Sequence, residues 1–230
     1  MASKNSKIIL IETSTSLCSV ALCEDGKVTA YRESAGGREH ASLTAVFVQQ
    51  VLEERALHVR DCSAVCVSAG PGSYTGLRVG SSTAKGLCFG AGIPLISVST
   101  PDILVWKAIG EGLVPEGCTA IVPMIDARRM EVYTAIYSPL GTRLTEVGPQ
   151  VIDQDSFASL RGGNVLYIGD GAAKCEGILE GTFVQCCPDA RSMAPLATKK
   201  VEDGEFEDTA YFEPFYLKDF VATVSRKKLW

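Results

Sequence analysis

The order of strand-like and helix-like segments in the first hundred residues constrains the fold more than any other feature. Short apolar runs predict strands at 7–12, 17–23 and 27–33. The tripeptide Glu24-Asp25-Gly26 between the last two runs is a strong hairpin signal. Alternating helix and strand follow, at about 39–57, 63–69, 75–90 and 94–98. Three antiparallel strands before such an alternation predict an α/β domain, a mixed sheet with helices packed against it.

The second half of the chain repeats part of this order. A helix is predicted from Thr100-Pro101 to Gly110, and a stretch rich in Gly and Pro follows it. We therefore place a boundary within about 100–117, between an N-terminal domain (1–105) and a smaller C-terminal domain with a tail (106–230). Further strands are predicted at 120–125, 131–137, 142–147 and 165–168. A strand–hairpin–strand opening in each half favours a duplicated unit, although the halves share little residue-level similarity.

Charge and hydropathy argue against several functional classes. The 230-residue chain has a formal net charge of −5, which disfavours a protein that grips nucleic acid unaided. We interpret its basic cluster, Arg226-Lys227-Lys228, as a solvated tail. The aliphatic run 8–11 is too short for a secretory or membrane-spanning segment, and no later run reaches about 18 apolar residues. These features predict a cytoplasmic protein with no membrane association.

Metal chemistry is disfavoured by the spacing of Cys and His. The nine cysteines are odd in number and scattered, so we interpret them as reduced structural thiols. His40 lacks a second histidine one turn on, because position 44 is Thr, and His58 lies past the predicted helix end. We expect no metal site, and we interpret His40 as a helix N-terminal feature or an interface contact.

Two turns carry candidate phosphate contacts. Thr13 and Ser14 lie in a turn of four hydroxyl residues that offers N–H and O–H donors to a phosphate, or that is capped by its own side chains. The run SAGPGSYTGLRVG at 68–80 is neither a Walker A loop nor a dinucleotide fingerprint. The backbone amides around Gly72 and Ser73, at a predicted helix N-terminus, still offer an anion site. Close packing is the alternative reason for these glycines.

The predicted helix over 75–90 carries a ridge of small side chains at four-residue intervals, namely Gly76, Gly80, Ala84 and Cys88. Glycine in a helix costs about 1 kcal/mol relative to alanine, so the ridge implies an offsetting benefit. We expect a second helix to approach there, and expect Gly80→Arg or Ala84→Arg to abolish partner binding while the monomer stays folded.

The first predicted helix is apolar on two sides. The side expected to face the sheet comprises Ala41, Ala45, Val48, Leu52 and Ala56. The opposite side comprises Leu43, Val46, Phe47, Gln50 and Glu54. A helix apolar on both sides is normally covered on both sides, here by the neighbouring helix and by another chain.

Asp126 lies at the tip of the second predicted hairpin, in the run Ile125-Asp126-Ala127-Arg128-Arg129. A carboxylate at that position has two interpretations. It orients Mg²⁺ or a substrate, or it is a turn residue beside two arginines.

Taken together, these stretches resemble the TsaB (YeaZ) family over nearly the whole chain. The matching stretches are IETSTSLCSVAL, Arg38-Glu39-His40, the 68–80 run, Lys85-Gly86-Leu87, Ile125-Asp126-Ala127-Arg128 and Pro214-Phe215-Tyr216-Leu217-Lys218. The family is the bacterial subunit of the machinery that installs threonylcarbamoyl on an adenosine of tRNA. The resemblance implies the fold of actin, hexokinase and the heat-shock chaperones (the ASKHA fold), with two related mixed-sheet domains facing across a cleft.

The resemblance also implies a role. The larger relative TsaD is catalytic and carries a metal-binding His-x3-His, which would fall here at His40 and Thr44. The chain is thus expected to be a non-catalytic subunit that binds TsaD, with TsaE as the ATPase partner and tRNA reached only through the complex. No intrinsic cofactor is expected, although ATP or ADP would fit the subunit junction, and a homodimer is expected in the absence of TsaD.

The expected partner-facing residues are His40, Leu43, Phe47, Gln50, Tyr74, Gly76, Arg78, Gly80, Ala84 and Cys88. The alternative hypothesis is an enzyme, an ATP-dependent phospho- or carbamoyl-transferase acting through Thr13, Ser14 and Asp126. Within the second half, Gly169-Asp170-Gly171 is the one candidate for a further nucleotide contact. A stand-alone RNA binder is disfavoured by the acidity of the chain.

Overall fold

The computed structural model describes residues 6–36 and 39–216. Arg38, the pair Leu217-Lys218 and the basic cluster 226–228 lie outside the described residues. The described strands are β1 (Lys7–Glu12), β2 (Cys18–Glu24), β3 (Lys27–Ser34), β4 (Ala64–Gly70), β5 (Leu95–Ser99), β6 (Cys118–Asp126), β7 (Glu131–Thr134), β8 (Gly148–Val151), β9 (Asn164–Ile168) and β10 (Thr182–Val184). The described α-helices are α1 (His40–Glu53), α2 (Tyr74–Ala91), α3 (Thr100–Gly110) and α4 (Ala194–Asp203).

The two five-stranded sheets have the same topology. The first has the order β3-β2-β1-β4-β5 and the second the order β10-β9-β6-β7-β8, which is the same order read from the other edge. In each sheet the first three strands are antiparallel neighbours and the last two run parallel to the first. The predicted duplication and the predicted two-domain ASKHA fold are both confirmed.

The prediction of a strand at 142–147 was wrong. In that segment Arg143 forms only an isolated bridge with Tyr137. Its guanidinium instead reaches α3, where Nη2 lies 2.6 Å from Oδ2 of Asp102. The third strand of this sheet is β8, which pairs with β7 a few residues later.

The first sheet is covered on both faces. Alternate residues of β1 point to opposite sides, so Ile9 and Ile11 pack with α1 and α2, while Ile8 and Leu10 pack with α4 and Ile103 of α3. Further along α3, Val105 and Ala108 lie in the core of the second sheet. α3 therefore connects the two hydrophobic cores.

The faces of α1 differ from those predicted. The buried side comprises His40, Thr44, Phe47, Val48, Val51 and Leu52. Ala41 and Ala45, which were expected against the sheet, are exposed, and Phe47, expected at an interface, is in the core. The helix is rotated in this way because burying Phe47 and Val51 removes more apolar surface from water than burying two alanines.

The chain returns to the first domain after the second sheet. Ala190, Met193 and Ala197 pack in the core on the α3–α4 side of the first sheet, and Phe212 packs in the core on the opposite side. The boundary near residue 105 stays a prediction, and the polypeptide crosses between the sheets more than once. Among residues 6–36 and 39–216, no helix is both long enough and apolar enough to span a membrane.

Candidate functional site

The β1–β2 turn and the beginning of α2 lie directly against each other. The backbone N–H of Ser73 donates to the carbonyl of Ser14 at 2.6 Å, and the Thr13 hydroxyl donates to the carbonyl of Gly76 at 2.8 Å. A Cβ added at Gly72 would overlap the Ser14 carbonyl oxygen, and one at Gly76 would overlap that of Thr13. The glycines at the start of α2 therefore serve a close backbone approach.

The structure brings the candidate phosphate contacts together but uses them for packing. Thr13 and Ser14 are fully buried, and the carbonyl of Ser14 contacts Gly72. Ser73 caps α2, since its Oγ accepts a hydrogen bond from the N–H of Gly76 at 3.3 Å. These four residues therefore form contacts between the turn and the helix, and their role as phosphate contacts stays a prediction.

Glu12, the last residue of β1, is a buried carboxyl group beside this turn. Oε1 accepts a hydrogen bond from the N–H of Ser14 at 2.5 Å. Burial raises the pKa of Glu12 to about 7, although hydrogen bonds from Ser14 and Ser68 act in the opposite direction. Sequence reasoning did not single out Glu12, yet an acidic residue that ends a four-residue aliphatic run in a central strand was an available signal.

The ridge of small residues on α2 faces this chain and not a partner. A Cβ at Gly80 would overlap Oγ1 of Thr13 and stand 3.4 Å from Cγ2 of Val67 in β4. Ala84 and Cys88 are buried in the core beneath α2. The assignment of the ridge, with Gly76, to a partner interface was therefore wrong, because the sheet of the same chain already occupies the groove.

His40 and Thr44 do not fit the metal site of the TsaD motif. His40 is 8% exposed, and its Nε2 lies 3.0 Å from the carbonyl oxygen of Thr15, so this nitrogen carries the proton. The Thr44 hydroxyl donates to the carbonyl of His40 at 2.6 Å. Since both groups are used inside the first domain, His40 is a buried structural residue and not an interface contact.

Other side chains of the two helices point outward. We call the exposed part of α1 and α2 the outer helical face. It comprises Ala41, Ala45, Val46, Gln49, Gln50, Ser82, Gly86, Phe89 and Gly90. Phe89 is 88% exposed and Val46 is 42% exposed, and no other atom lies within 4 Å of an added Cβ at Gly86 or Gly90. This face therefore combines large apolar side chains with glycine positions from which no side chain protrudes.

Four of the predicted interface residues are exposed or half-buried, namely Leu43, Gln50, Tyr74 and Arg78. Tyr74 and Arg78 are exposed, with Nη1 of Arg78 donating to the Tyr74 hydroxyl at 3.1 Å. The Tyr74 ring also contacts Tyr216, with centroids 5.1 Å apart. Gln50 is exposed and Leu43 is half-buried against the core. Their role in an interface stays a prediction.

In the second domain, Asp126 is exposed at the end of β6 and is neutralised by an ion pair with Lys174. Its backbone N–H donates to Oδ1 of Asp170 at 2.9 Å, and burial raises the pKa of Asp170. Gly169 and Gly171 lie against the carbonyl oxygen of Met124. The Gly169-Asp170-Gly171 run therefore joins β9 to the end of β6, and Asp126 has a structural partner.

A buried ion cluster lies where the chain returns to the first domain. Asp189 is 1% exposed and forms ion pairs with Lys107 of α3 and, at 3.1 Å, with Arg191. Burial alone would raise the pKa of Asp189, but hydrogen bonds and charges from Arg191 and Lys107 outweigh it, so that pKa is lowered. The guanidinium of Arg191 also lies 4.4 Å from the ring centroid of Tyr31 in β3. The cluster fastens α3 and the returning chain to the first sheet.

Comparisons with known proteins find relatives named for tRNA threonylcarbamoyladenosine biosynthesis. The family model described as TsaD, tRNA N6-adenosine threonylcarbamoyltransferase, matches residues 28–177. The chain is 33% identical to the tRNA threonylcarbamoyladenosine biosynthesis protein TsaB of Escherichia coli, over 94% of this chain and 96% of that one. It is 29% identical to the TsaB protein of Bacillus subtilis, over 92% and 93% of the two chains.

A solved structure agrees with the sequence relatives. YeaZ from Pseudomonas aeruginosa superposes with a TM-score of 0.81 at 25% identity, covering 92% of this chain and all of that chain. The similarity spans both duplicated sheets, because nearly the whole of each chain is aligned. The chain belongs to the TsaB (YeaZ) family.

Proposed function

We propose that the chain acts in the biosynthesis of threonylcarbamoyladenosine in tRNA, as a non-catalytic cytoplasmic subunit that binds a TsaD-type partner. The names of its relatives support the pathway. TsaE is the expected ATPase partner, and tRNA is reached through the complex. A nucleotide, where one is used, belongs at the junction between subunits.

The contact between α2 and the β1–β2 turn is the observation that most supports a non-catalytic role. Enzymes of this fold need open loops to hold phosphates, and here the turn is filled by Gly72 and Gly76 of the same chain. The half-motif at His40 and Thr44 supports the same conclusion, because both side chains are hydrogen-bonded within the first domain.

The outer helical face is the surface that we propose for the partner. It exposes Val46 and Phe89 beside Gly86 and Gly90, so a facing helix meets apolar side chains and nearly flat backbone together. Exposed apolar side chains such as these tend to associate, which is why a homodimer through the same face is expected without the partner. Small residues at such a seam permit close helix packing in water for the same steric reason as in membranes.

Co-purification tests this function. The chain is expressed with an affinity tag in cells that carry its His-x3-His paralogue, and the retained proteins are identified. We expect the paralogue to be retained, and to be lost when Ala45→Arg or Gly86→Arg is introduced on the outer helical face. Retention by these variants at the level of the unaltered chain contradicts the proposed surface, and failure of the unaltered chain to retain the paralogue contradicts the proposed function.

A further inference from the structure

Tyr211 is an exposed aromatic residue in the segment that follows α4. It lies in residues 208–212, which we call the Tyr211 turn. Its side chain is 82% exposed, and among the described aromatic residues only Phe89, at 88%, is more exposed. Single apolar side chains in water are common on protein surfaces. Tyr211 therefore indicates a binding site only if the way in which its backbone is held also does so.

The backbone of the Tyr211 turn is held by hydrogen bonds on both sides of the tyrosine. Nζ of Lys85, in α2, donates to the carbonyl of Ala210 at 3.0 Å and to that of Phe212 at 3.1 Å. Oδ1 of Asp208 accepts from the N–H groups of Ala210 and Tyr211, at 2.8 and 3.2 Å. The N–H of Phe212 donates to the carbonyl of Asp208 at 2.7 Å. The turn is thus fixed by one lysine and one aspartate.

Both ends of the turn are anchored to the first domain as well. Before the turn, the N–H of Glu207 donates to the carbonyl of Leu95 at 2.8 Å, and its Oε1 accepts from the Ser97 hydroxyl at 2.5 Å. At the other end, Phe212 is 9% exposed and packs in the core beneath α2. Tyr211 is therefore a ring that projects from a fixed backbone. Such a ring loses little conformational entropy on binding, which is a property of anchor residues in protein interfaces.

The Tyr211 turn borders the outer helical face. Lys85, which holds the turn, lies four residues before Phe89 in α2, so these two side chains are neighbours on the surface of the helix. Each of the two most exposed described aromatic residues is thus joined to Lys85, Phe89 through the helix and Tyr211 through the backbone of the turn. A partner that covers the outer helical face at Phe89 therefore reaches the edge on which Tyr211 stands.

The charges around Tyr211 favour one kind of partner. The segment 205–213 contains no basic residue and four acidic ones, namely Glu205, Glu207, Asp208 and Glu213. Only Glu205 forms an ion pair within the described part of the chain, with Lys200 at 3.1 Å. A nucleic acid is repelled by such a segment, whereas a protein with basic residues around an apolar pocket is attracted. The outer helical face has no charged residue, so the same face of a second copy offers no basic complement.

We propose, on the basis of the proposed function, that Tyr211 is an anchor residue for the TsaD-type partner. Its ring enters an apolar pocket of that partner, and the carboxylates of Glu207, Asp208 and Glu213 face basic residues around the pocket. Lys85 is a positioning residue, because it acts by holding the turn and not by touching the partner. The contact therefore extends from the outer helical face onto the segment that follows α4.

The dissociation constant for the partner tests this proposal. It is measured for the unaltered chain, Tyr211→Ala, Lys85→Met, the double variant of these two, and Leu140→Ala. Leu140 is the matched control, since it is 86% exposed and belongs to the second domain. We expect Tyr211→Ala to weaken binding at least about tenfold, Lys85→Met to weaken it several-fold, and Leu140→Ala to have no effect.

Two further results separate anchoring from folding. Urea unfolding of Tyr211→Ala should match that of the unaltered chain, because the ring is exposed. The double variant should bind no more weakly than Tyr211→Ala alone, because Lys85 acts through the position of that ring. Additive losses in the double variant would overturn the role of Lys85, since general destabilisation adds to the loss of the ring.

The outcomes also distinguish this inference from the proposed function. If the unaltered chain binds the partner and Tyr211→Ala binds it equally well, the inference is overturned and the proposed function stands. If the unaltered chain does not bind the partner, both are contradicted. If Tyr211→Ala instead abolishes a homodimer in sedimentation and leaves the affinity for the partner unchanged, the ring belongs to a contact between copies and the inference is overturned.

Discussion

Gly76 lies directly against Thr13, with the Thr13 hydroxyl donating a 2.8 Å hydrogen bond to the Gly76 carbonyl. A side chain on Gly76 would overlap the Thr13 carbonyl oxygen. The contact fastens the first turn of α2 to the β1–β2 turn. The stability of the first domain therefore depends in part on this one packing contact.

Gly76→Ala is therefore expected to destabilise the chain by about 1–3 kcal/mol, the usual cost of overpacking. Gly86→Ala is the matched control, because it lies in the same helix with no atom within 4 Å of the added Cβ. It should stabilise the chain by up to about 1 kcal/mol, since alanine is the better helix former. Urea unfolding measures both. Equal effects of the two substitutions would show that the Thr13 contact is unimportant.

The raised pKa of Glu12 predicts that the stability of the chain depends on pH. The unfolded chain releases this proton near the ordinary value of 4.5, whereas the folded chain holds it to about 7. The folded state thus binds more protons between these values, so the free energy of unfolding falls as pH rises from 4.5 to 7, by about 3 kcal/mol in total. Glu12→Gln removes this component, and unfolding curves of the two chains across that range should diverge with pH. Parallel pH profiles would contradict the buried, neutral carboxyl group.

Asp189→Asn should destabilise the chain by about 3 kcal/mol, because it leaves Lys107 buried beside a neutral side chain. The effect should lie at the lower end of the range for buried pairs, since the other cation, Arg191, is about half exposed. Asp189 has a lowered pKa, so its contribution is present above the unfolded pKa of the carboxyl group and is lost as pH falls. Asp203→Asn, which removes the exposed pair with Lys199, is the control and should cost less than about 1 kcal/mol. Urea unfolding at neutral and acidic pH is the measurement, and equal costs at neutral pH would count against the cluster.

The isolated chain should neither bind nor hydrolyse Mg-ATP detectably. The reason is that Ser14 lies against Gly72 and Thr13 against Gly76, and that Asp126 is paired with Lys174. Isothermal calorimetry and a phosphate-release assay measure this directly. Micromolar binding with turnover would favour the alternative hypothesis, an enzyme acting through Thr13, Ser14 and Asp126.

The strands and helices of the first domain could be predicted because their signals are local. Apolar runs, the Glu24-Asp25-Gly26 hairpin and the Gly-rich start of α2 depend on neighbours in sequence. Which face of a helix is buried, in contrast, depends on residues that are distant in sequence. Thr44 is buried because its hydroxyl has a partner one turn back, in His40, and no periodicity of apolar residues reveals that.

The same limit explains the error over the ridge on α2. Small residues at four-residue spacing show that something approaches closely, but they do not show whether it is another chain or the sheet of the same chain. Gly80 lies against Thr13, which is more than sixty positions earlier in the sequence, and against Val67, which belongs to a different element. The pair Lys107 and Asp189, 82 residues apart, was unpredictable for the same reason.

The affinity of the chain for its TsaD-type partner tests the central claim most directly. The dissociation constant is measured for the unaltered chain, for Ala45→Arg and Gly86→Arg on the outer helical face, and for Glu202→Arg on α4, after circular dichroism confirms that each is folded. We expect Ala45→Arg and Gly86→Arg to weaken binding at least about tenfold, a loss of about 1.4 kcal/mol, and Glu202→Arg to bind like the unaltered chain. Equal affinity of all four chains, or no binding by the unaltered chain, would contradict the account.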